Sequence, residues 1–446
     1  MTINELAKIM KDNGISGAGG AGFPAYAKLN EKADTVLLNC AECEPLLKVH
    51  RQVLKFHAFE ILKALHLIAQ TVGAKNCIVA MKESYKTTLA TVKAELEAFP
   101  NIKIGILPEV YPAGDEVVLI YETTGKVVPP ASIPISVGCI VYNVETVYNV
   151  YKAVFEQKPV THKYVTVTGE VKNPVTVKAP LGITFKELIA RAGGATVPSY
   201  ALLCGGPMTG PVAKDTDVVT KTTNALIVLP ENHPVIIRKE TKLSISEKRA
   251  MSACCQCRSC TDLCSRHLLG HPIEPHKIMR AMSSGKVTDT AAIINAAYCS
   301  GCGLCEMYAC PQSLHPKTII LALKGALRQN GITPPKLENI DPVSPDRAYR
   351  KVPKHRLTAR LGLTQYNIPA PLSETEVDTD KVKILFSQHV GAPAVPIIKE
   401  SDEVSVGQVI ALPKENALSN TVHASVSGKV LSVTDKSAVI LKKKEA

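Results

Sequence analysis

Apolar residues at Ile3, Leu6, Ile9 and Met10 recur at helical intervals, which predicts a short amphipathic helix ending at Gly14. The next apolar run, within Thr35-Val36-Leu37-Leu38-Asn39, has the length of a buried strand. Strand and helix patterns then alternate: a helix from about Val49 to Val72, a strand from Cys77 to Met81, a helix from about Thr87 to Ala98, and a strand from Ile102 to Leu107. The loop Tyr111-Pro112-Ala113-Gly114-Asp115-Glu116 leads to a helix reaching about Thr123. Another helix, opened by Val141-Tyr142-Asn143-Val144-Glu145-Thr146, closes the domain near Gln157. This alternation predicts a parallel sheet with helices on its faces, a Rossmann-like α/β domain over residues 1–158.

From Lys163 the period changes to two. Tyr164 to Val171 and Pro174 to Val177 predict a hairpin, and Thr184 to Gly193 a helix, in a unit over residues 159–240. Residues 241–337 read as helical segments around cysteines. Glu338 to Thr379, rich in Pro and charge, reads as a linker, with Arg347 to Arg360 as a solvated basic stretch. Val382 to Leu441 alternates in short strands with Gly391, Gly407 and Gly428 at turns, a β domain over residues 380–446. The fold class is multidomain, α/β followed by α+β.

The cysteines carry the clearest chemistry. Cys254, Cys257, Cys260 and Cys264 stand as C-x2-C-x2-C-x3-C, and Cys299, Cys302, Cys305 and Cys310 as C-x2-C-x2-C-x4-C-P. Three thiolates at two-residue gaps wrap one loop around three corners of an iron–sulfur cube, and the trailing cysteine belongs to the other cube. This assigns Cys254, Cys257, Cys260 and Cys310 to one [4Fe–4S] cluster, and Cys299, Cys302, Cys305 and Cys264 to a second. Two triplets with trailing cysteines exceed what a tetrahedral zinc site uses, and disulfides need an oxidising compartment. Cys255 is spare. His267, His271 and His276 follow Cys264 and read as ordinary, partly exposed residues, because thiolates alone complete both clusters.

Gly17-Ala18-Gly19-Gly20-Ala21-Gly22-Phe23-Pro24 contains G-x-G-x-x-G, but a helix rather than a strand precedes it, so the dinucleotide fingerprint is incomplete. Glycines still let backbone N–H groups close on a phosphate or a flat ring, and a helix beginning near Phe23 would aim its positive end there. The plain alternative is a tight structural turn. Cys40-Ala41-Glu42-Cys43-Glu44-Pro45 places acidic residues at a strand's C-terminal end, where α/β folds bind ligands. Cys40 and Cys43 themselves read as packing rather than as a redox dithiol.

Composition narrows the partners. The chain has 446 residues, 46% of them hydrophobic, with no Trp, and no run of about 18 uninterrupted apolar residues, so no transmembrane segment is expected. Fourteen cysteines without a secretory signal point to a reducing cytoplasm. A net charge of +12 favours acidic partners, but the charge is scattered and aromatic residues are only 4%, which argues against nucleic acid.

Taken in order, Gly-Gly-Ala-Gly-Phe-Pro from Gly19, Asn-x-x-Glu-x-Glu-Pro from Asn39, Tyr-x-x-Gly-x-Glu from Tyr111 and Asn-Val-Glu-Thr from Asn143 resemble the flavin-binding subunit of respiratory complex I. They resemble also the C subunit of Rnf-type electron-transport complexes and, more nearly, in domain order and in the wording of Gly17 to Pro24 and Asn39 to Pro45, the cobalamin reductases of propanediol utilisation. The resemblance covers nearly the whole chain and implies a non-covalent FMN. It places Gly17, Gly19, Gly20, Gly22 and Lys28 around the flavin, with Asn39, Glu42, Gly114, Asp115 and Asn143 beside it. Phe23, Glu44 and Glu116 would face the nicotinamide nucleotide, with Glu44 and Glu116 in the catalytic positions. It also implies a soluble-ligand-binding β-grasp domain, in which Gly205 to Gly210 is the glycine loop and a spacer between flavin and clusters. A two-cluster ferredoxin-like domain follows. The last domain is implied to be a lipoyl/biotinyl-like barrel-sandwich, whose turn Pro413 to Leu418 lacks the carrier lysine's flanking signature. Two departures stand out. Val128-Pro129-Pro130-Ala131 replaces the Lys-Pro-Pro-Phe of the complex I subunit, and Ala41 replaces an acidic residue at the flavin.

The function expected is an NADH-dependent oxidoreductase that passes electrons through FMN and two [4Fe–4S] clusters to an acceptor protein or a corrinoid. A microcompartment with its shell and B12-dependent enzymes is the implied setting. A second reading is a non-enzymatic relay or docking subunit of an Rnf-type complex, and a third a cobalamin-binding module.

Overall fold

The computed structural model describes residues 1–283, 289–337 and 340–443. Helix α1 (Ile3–Asp12) starts on a capping box between Thr2 and Glu5 and buries Leu6 and Met10. The first domain continues through β1 (Thr35–Cys40), α2 (Val49–Phe56), α3 (Ala58–Val72), β2 (Asn76–Lys82), α4 (Lys86–Glu95) and β3 (Ile102–Leu107). Then come β4 (Val110–Tyr111), α5 (Glu116–Thr124), β5 (Cys139–Asn143) and α6 (Val144–Phe155). Strands β3-β2-β1-β5 form a parallel sheet. Val36 and Leu38 pack on one face with α3 and α6, whereas Leu37 packs on the other with Val117 to Ile120 of α5. Both faces are covered, which is why β1 is continuously apolar rather than alternating. Strand order reverses between β1 and β5, so the ligand crevice lies at their C-terminal ends, where Asn39 is in register with Asn143.

Two expected helices differ. The helix from Val49 to Val72 is broken at His57, whose backbone leaves helical values (φ −127°, ψ 39°). Its ring stacks on Tyr148 with centroids 4.2 Å apart and pairs with Glu374 at 3.2 Å, contacts that a straight helix would forgo. No helix begins near Phe23: there is one 3-10 turn, Ala25–Lys28. The Gly17 N–H donates to the Phe23 carbonyl and the Ala25 N–H to that of Ile15, so the glycine loop closes as a hairpin, and no helix end points into it.

The second domain has β6 (His162–Gly169), β7 (Val175–Pro180), α7 (Phe185–Arg191), β8 (Tyr200–Cys204), β9 (Val212–Ala213), β10 (Ala225–Pro230) and α8 (Pro234–Glu240). The hairpin is present, with Val165 opposite Val177, and α7 starts on a Thr184/Glu187 capping box. The cysteine segment lies among α9 (Leu243–Ala253), α10 (Ser259–Asp262), α11 (Pro275–Ser283), α12 (Thr290–Asn295) and α13 (Pro316–Gln329).

The segment expected as a linker begins outside the described residues at Glu338, and from residue 340 onward it is packed rather than loose. Arg347 and Lys351 both pair with Glu122, at 2.6 and 2.9 Å. Strand β11 (Val352–Pro353) pairs with β4, α14 (Lys354–Arg360) follows, and Leu357, Leu361, Leu363 and Tyr366 are buried. Strand β12 (Leu372–Glu376) then joins the edge of the second domain's sheet beside β7. Local Pro and charge hid this, because the apolar partners lie in other domains.

The last domain is two facing sheets. Strands β13 (Lys381–Leu385), β14 (Val395–Pro396), β15 (Glu403–Val404), β16 (Val409–Leu412), β17 (Val422–His423), β18 (Gly428–Val433) and β19 (Ser437–Lys442) pair as β13-β19-β18-β15 and β14-β16-β17. Val382, Ile384, Phe386 and Ile410 lie among the core residues they enclose. Among the described residues no helix is long and apolar enough to cross a membrane.

Candidate functional site

The glycine loop leaves α1 and returns at Pro24. Gly20 and Gly22 have φ of +67° and +71°, which L side chains rarely adopt. A Cβ on Gly19 would stand 3.0 Å from Asn224 Nδ2 and 3.4 Å from Asn143 Nδ2, whereas one on Gly20 would meet nothing within 4 Å. Gly22 serves a different purpose from the one expected of it. A Cβ there would meet Thr222 Cγ2 at 2.7 Å and the backbone of Gln388 and His389, so it is a packing glycine against the second and last domains. Phe23 leaves the loop 37% exposed, free to lie against a ligand.

At the strand ends, Asn39 Nδ2 donates to the Gly114 carbonyl at 3.0 Å, and Asn143 caps α6 through the Glu145 N–H at 2.9 Å. A Cβ on Gly114 would crowd Ala41 and Cys43, each at 3.2 Å, so the loop approaches β1 only as glycine. Lys28 Nζ meets Glu116 at 2.8 Å and the Val141 carbonyl at 2.9 Å, bringing together a residue expected at the flavin and one expected at the nucleotide.

Three acidic residues expected at the ligands have their carboxylates committed elsewhere. Glu42 is buried and accepts the His50 N–H at 2.7 Å and the Arg51 N–H at 3.3 Å, at the start of α2. Burial alone would raise its pKa, but Arg51 and His50 outweigh that and hold the carboxyl below its usual range. Asp115 Oδ1 caps α5 through the Val117 and Val118 N–H groups, and Oδ2 pairs with Arg266 at 2.8 Å. Glu44 accepts the Met208 and Thr209 N–H groups, each at 2.9 Å, and the Thr209 hydroxyl at 2.6 Å. It braces the glycine loop of the second domain rather than facing open space. Lys317 Nζ donates to the Met208 carbonyl at 2.9 Å, so that loop spans from the end of β1 to the cysteine segment.

Cys43 Sγ accepts the Gly114 N–H at 3.4 Å, and burial, then Glu44, pushes its thiol up to about 11. Cys40 is fully buried and its thiol is also raised. Both shifts favour the protonated thiol, which supports packing over redox chemistry.

The eight cluster cysteines separate into two concavities. One, of about 350 Å³ including its open mouth, is walled by Cys254, Cys257, Cys260 and Cys310. The other, of about 360 Å³, is walled by Cys264, Cys299, Cys302 and Cys305, with Arg266 and Lys317. The trailing cysteine of each motif thus lies with the other motif's triplet. Each concavity offers the four thiolates that one [4Fe–4S] cube takes, with Cys255 as a further neighbour of the first. Tyr111 Oη donates to the Cys302 carbonyl at 2.6 Å, placing the second concavity against the loop that carries Gly114 to Glu116. Cys255 and Cys257 are exposed at the first. The three histidines are more engaged than expected. His271 is buried, donates through Nε2 to the Val128 carbonyl at 3.0 Å, and burial pushes its pKa down to about 4. His276 Nδ1 meets Thr261 Oγ1 at 2.8 Å, and His267 has its pKa lowered by burial.

Sequence reasoning missed the residues that other domains bring to the glycine loop. Asn224, whose Nδ2 stands beside Gly19, has its Oδ1 buried without a hydrogen-bond partner, an acceptor that a ligand bringing N–H groups, as an isoalloxazine does, would satisfy. Lys221 Nζ donates to the Gly14 carbonyl at 2.7 Å and that of Thr421 at 3.2 Å; Asn420 Nδ2 donates to Ile15 O and Ser16 Oγ. Lys354 Nζ donates to the Glu42 carbonyl at 2.8 Å from the expected linker. The only signal for these was a polar run, Thr220-Lys221-Thr222-Thr223-Asn224, without periodicity.

Family models match four stretches of the chain: the Nuo51 FMN-binding domain over residues 10–152, the SLBB domain over 164–212, a 4Fe-4S dicluster domain over 253–315 and the RnfC barrel sandwich hybrid domain over 369–446. The chain is 41% identical over 434 residues to the cobalamin reductase PduS of Citrobacter freundii, covering 96% of this chain and 94% of that one. It is 39% identical over 448 residues to the cobalamin reductase PduS of Salmonella typhimurium strain LT2, covering 99% and 97%. Among solved structures, a chain of an NAD+-reducing [NiFe]-hydrogenase in the H2-reduced state aligns with a TM-score of 0.50 and 19% identity. The alignment covers 78% of this chain and spans 65% of that chain's length, a likeness of fold alone.

Proposed function

The chain belongs to the PduS cobalamin reductase family, and from that premise we propose that it takes electrons from NADH through FMN and two [4Fe–4S] clusters to a corrinoid. Flavin supplies the conversion of a two-electron donor into single-electron steps, and the clusters carry single electrons. The chain's own residues do the holding. Gly19 and Gly20 leave the loop backbone open to the flavin without Cβ atoms, while Gly17 closes the loop through its N–H, and Asn39, Asn143 and Asn224 bound the same crevice. Lys28 and Glu116 form the charged rim, and Phe23 offers an aromatic face to the nucleotide.

The observation that carries this reading is the position of the Tyr111 to Glu116 loop. It reaches the glycine loop's side through Lys28 and Glu116 and the cysteine segment through Tyr111 and Asp115. We take the concavity of Cys264, Cys299, Cys302 and Cys305 as the inner relay and that of Cys254, Cys257, Cys260 and Cys310, open at Cys255 and Cys257, as the exit. A corrinoid-dependent diol pathway inside a microcompartment belongs to the same proposal, and co-sedimentation with shell particles tests it.

Anaerobic mixing of the reconstituted protein with NADH, followed optically with and without added cobalamin, tests the reading. Flavin bleaching, then cobalamin reduction, is expected. A second reading has a specific basis: Val128 to Ala131 lacks the cation and aromatic of the complex I motif, and the Glu44 carboxylate is occupied. On that reading a reduced ferredoxin or flavodoxin is the donor, and saturating NADH leaves the flavin oxidised.

A further inference from the structure

Three cations stand around the concavity of Cys264, Cys299, Cys302 and Cys305, and two of them each donate to a backbone carbonyl. Lys317 donates to Met208 O at 2.9 Å and Lys324 to Cys299 O at 2.7 Å. Arg266 differs. It lines the concavity, one Nη donates to Asp115 of the flavin-binding domain at 2.8 Å, and its Nε is buried with no hydrogen-bond partner. A buried N–H is rarely left unmatched, because its lost hydration goes uncompensated. Because Arg266 lines the concavity, sulfurs held there would supply the missing acceptor.

We propose that Arg266 is a positioning residue that directs its Nε–H and its charge at the sulfurs of the inner cluster while Asp115 pins it to the flavin-binding domain. This rests on the reading that Cys264, Cys299, Cys302 and Cys305 hold that cluster. Reduction adds one negative charge to the cluster, and a hydrogen-bond donor and a fixed cation both favour the reduced state, so Arg266 raises the potential of this cluster relative to the other. At the exit concavity Gln256 Nε2 donates to Cys254 Sγ at 3.1 Å, but that donor brings no charge. Arg258 stands on its rim, but it is half exposed and pairs with Asp262 at 3.2 Å, so solvent and its own carboxylate screen it. Asp115 keeps the guanidinium from swinging away. It also joins Arg266 to α5, whose first residue, Glu116, pairs with Lys28, so the electrical lever and the flavin crevice share one rigid helix start.

A redox titration of the holoprotein, followed by paramagnetic resonance with iron content measured in parallel, tests this. Arg266→Gln should shift the oxidised-to-reduced ratio of the inner cluster about tenfold at a fixed potential, a lowering of about 59 mV for a one-electron couple. The outer cluster should be unmoved. Arg266→Lys, which keeps the charge, should show less than half of that shift. Inner and outer potentials both unchanged in a fully loaded Arg266→Gln protein, or equal shifts in the Gln and Lys variants, would overturn the proposal. If Arg266→Gln fails to load, Asp115→Asn carries the test. Its amide oxygen still accepts the Arg266 Nη–H and keeps the guanidinium in place, so the variant removes only the opposing charge and should raise the inner potential alone, and an unmoved potential there refutes the assignment. Four irons and a single cluster signal in the unaltered protein would instead refute the cluster reading beneath it.

Discussion

Replacing Glu44 with Ala separates a brace from a nucleotide contact. Its carboxylate accepts three hydrogen bonds from Met208 and Thr209, and each bond to a charged group contributes about 1.5–3 kcal/mol when fully shielded. Part of the loop is solvent-accessible, and water will recover some of this. A net loss of about 3 kcal/mol, roughly a hundredfold in local opening, is the working magnitude. The effect should be local, because the strands on either side of the Gly205 to Gly210 loop retain their ladders. Hydrogen-exchange mass spectrometry of the peptide holding Met208 and Thr209 reads it directly. Protection there should fall about a hundredfold, with a smaller fall around Lys317, while the apparent NADH affinity changes less than threefold. Unchanged protection together with a tenfold weaker NADH affinity would refute the brace and restore Glu44 to the nucleotide.

Gly19→Val should abolish FMN binding while leaving iron content intact, since its side chain would press on Asn224 and Asn143; stoichiometric flavin in that variant would show the loop to be only a turn. Cys264→Ser should damage the cluster of Cys299, Cys302 and Cys305 rather than the one nearest in sequence, as paramagnetic resonance will report. Burial pushes Lys221 down to about 7 from its ordinary 10.5. The unfolded chain therefore binds more protons between those values, and stability rises with pH from about 7 to 10.5 and is flat below. Lys221→Met should flatten that rise in denaturant midpoints measured across the window, and an unaltered pH profile would show that the lysine is charged where it lies.

The architecture was legible wherever one segment carried its own periodicity. The apolar run of β1, the hairpin around Val165 and Val177, and the spacing of the cysteines each specify a local structure whatever surrounds them. Side-chain roles that depend on other domains were not legible. Glu44, Asp115 and Glu42 occupy the expected positions, but their carboxylates meet Met208, Arg266 and the start of α2, and only the assembled structure brings those donors in. The same holds for residues 340–379. Their apolar residues, Leu357 and Leu363 among them, gain meaning only against Leu47 and Tyr111 of the first domain.

The order of the two concavities is the central claim, and rapid freeze-quench paramagnetic resonance after anaerobic mixing with NADH tests it most directly. The signal absent from Cys264→Ser should appear first in the unaltered protein, followed by the signal of the cluster at Cys254, Cys257, Cys260 and Cys310. Only the second should be lost rapidly on adding cobalamin. Earlier appearance of the Cys254-side signal, or loss of the inner signal ahead of the outer one on adding cobalamin, would contradict the account.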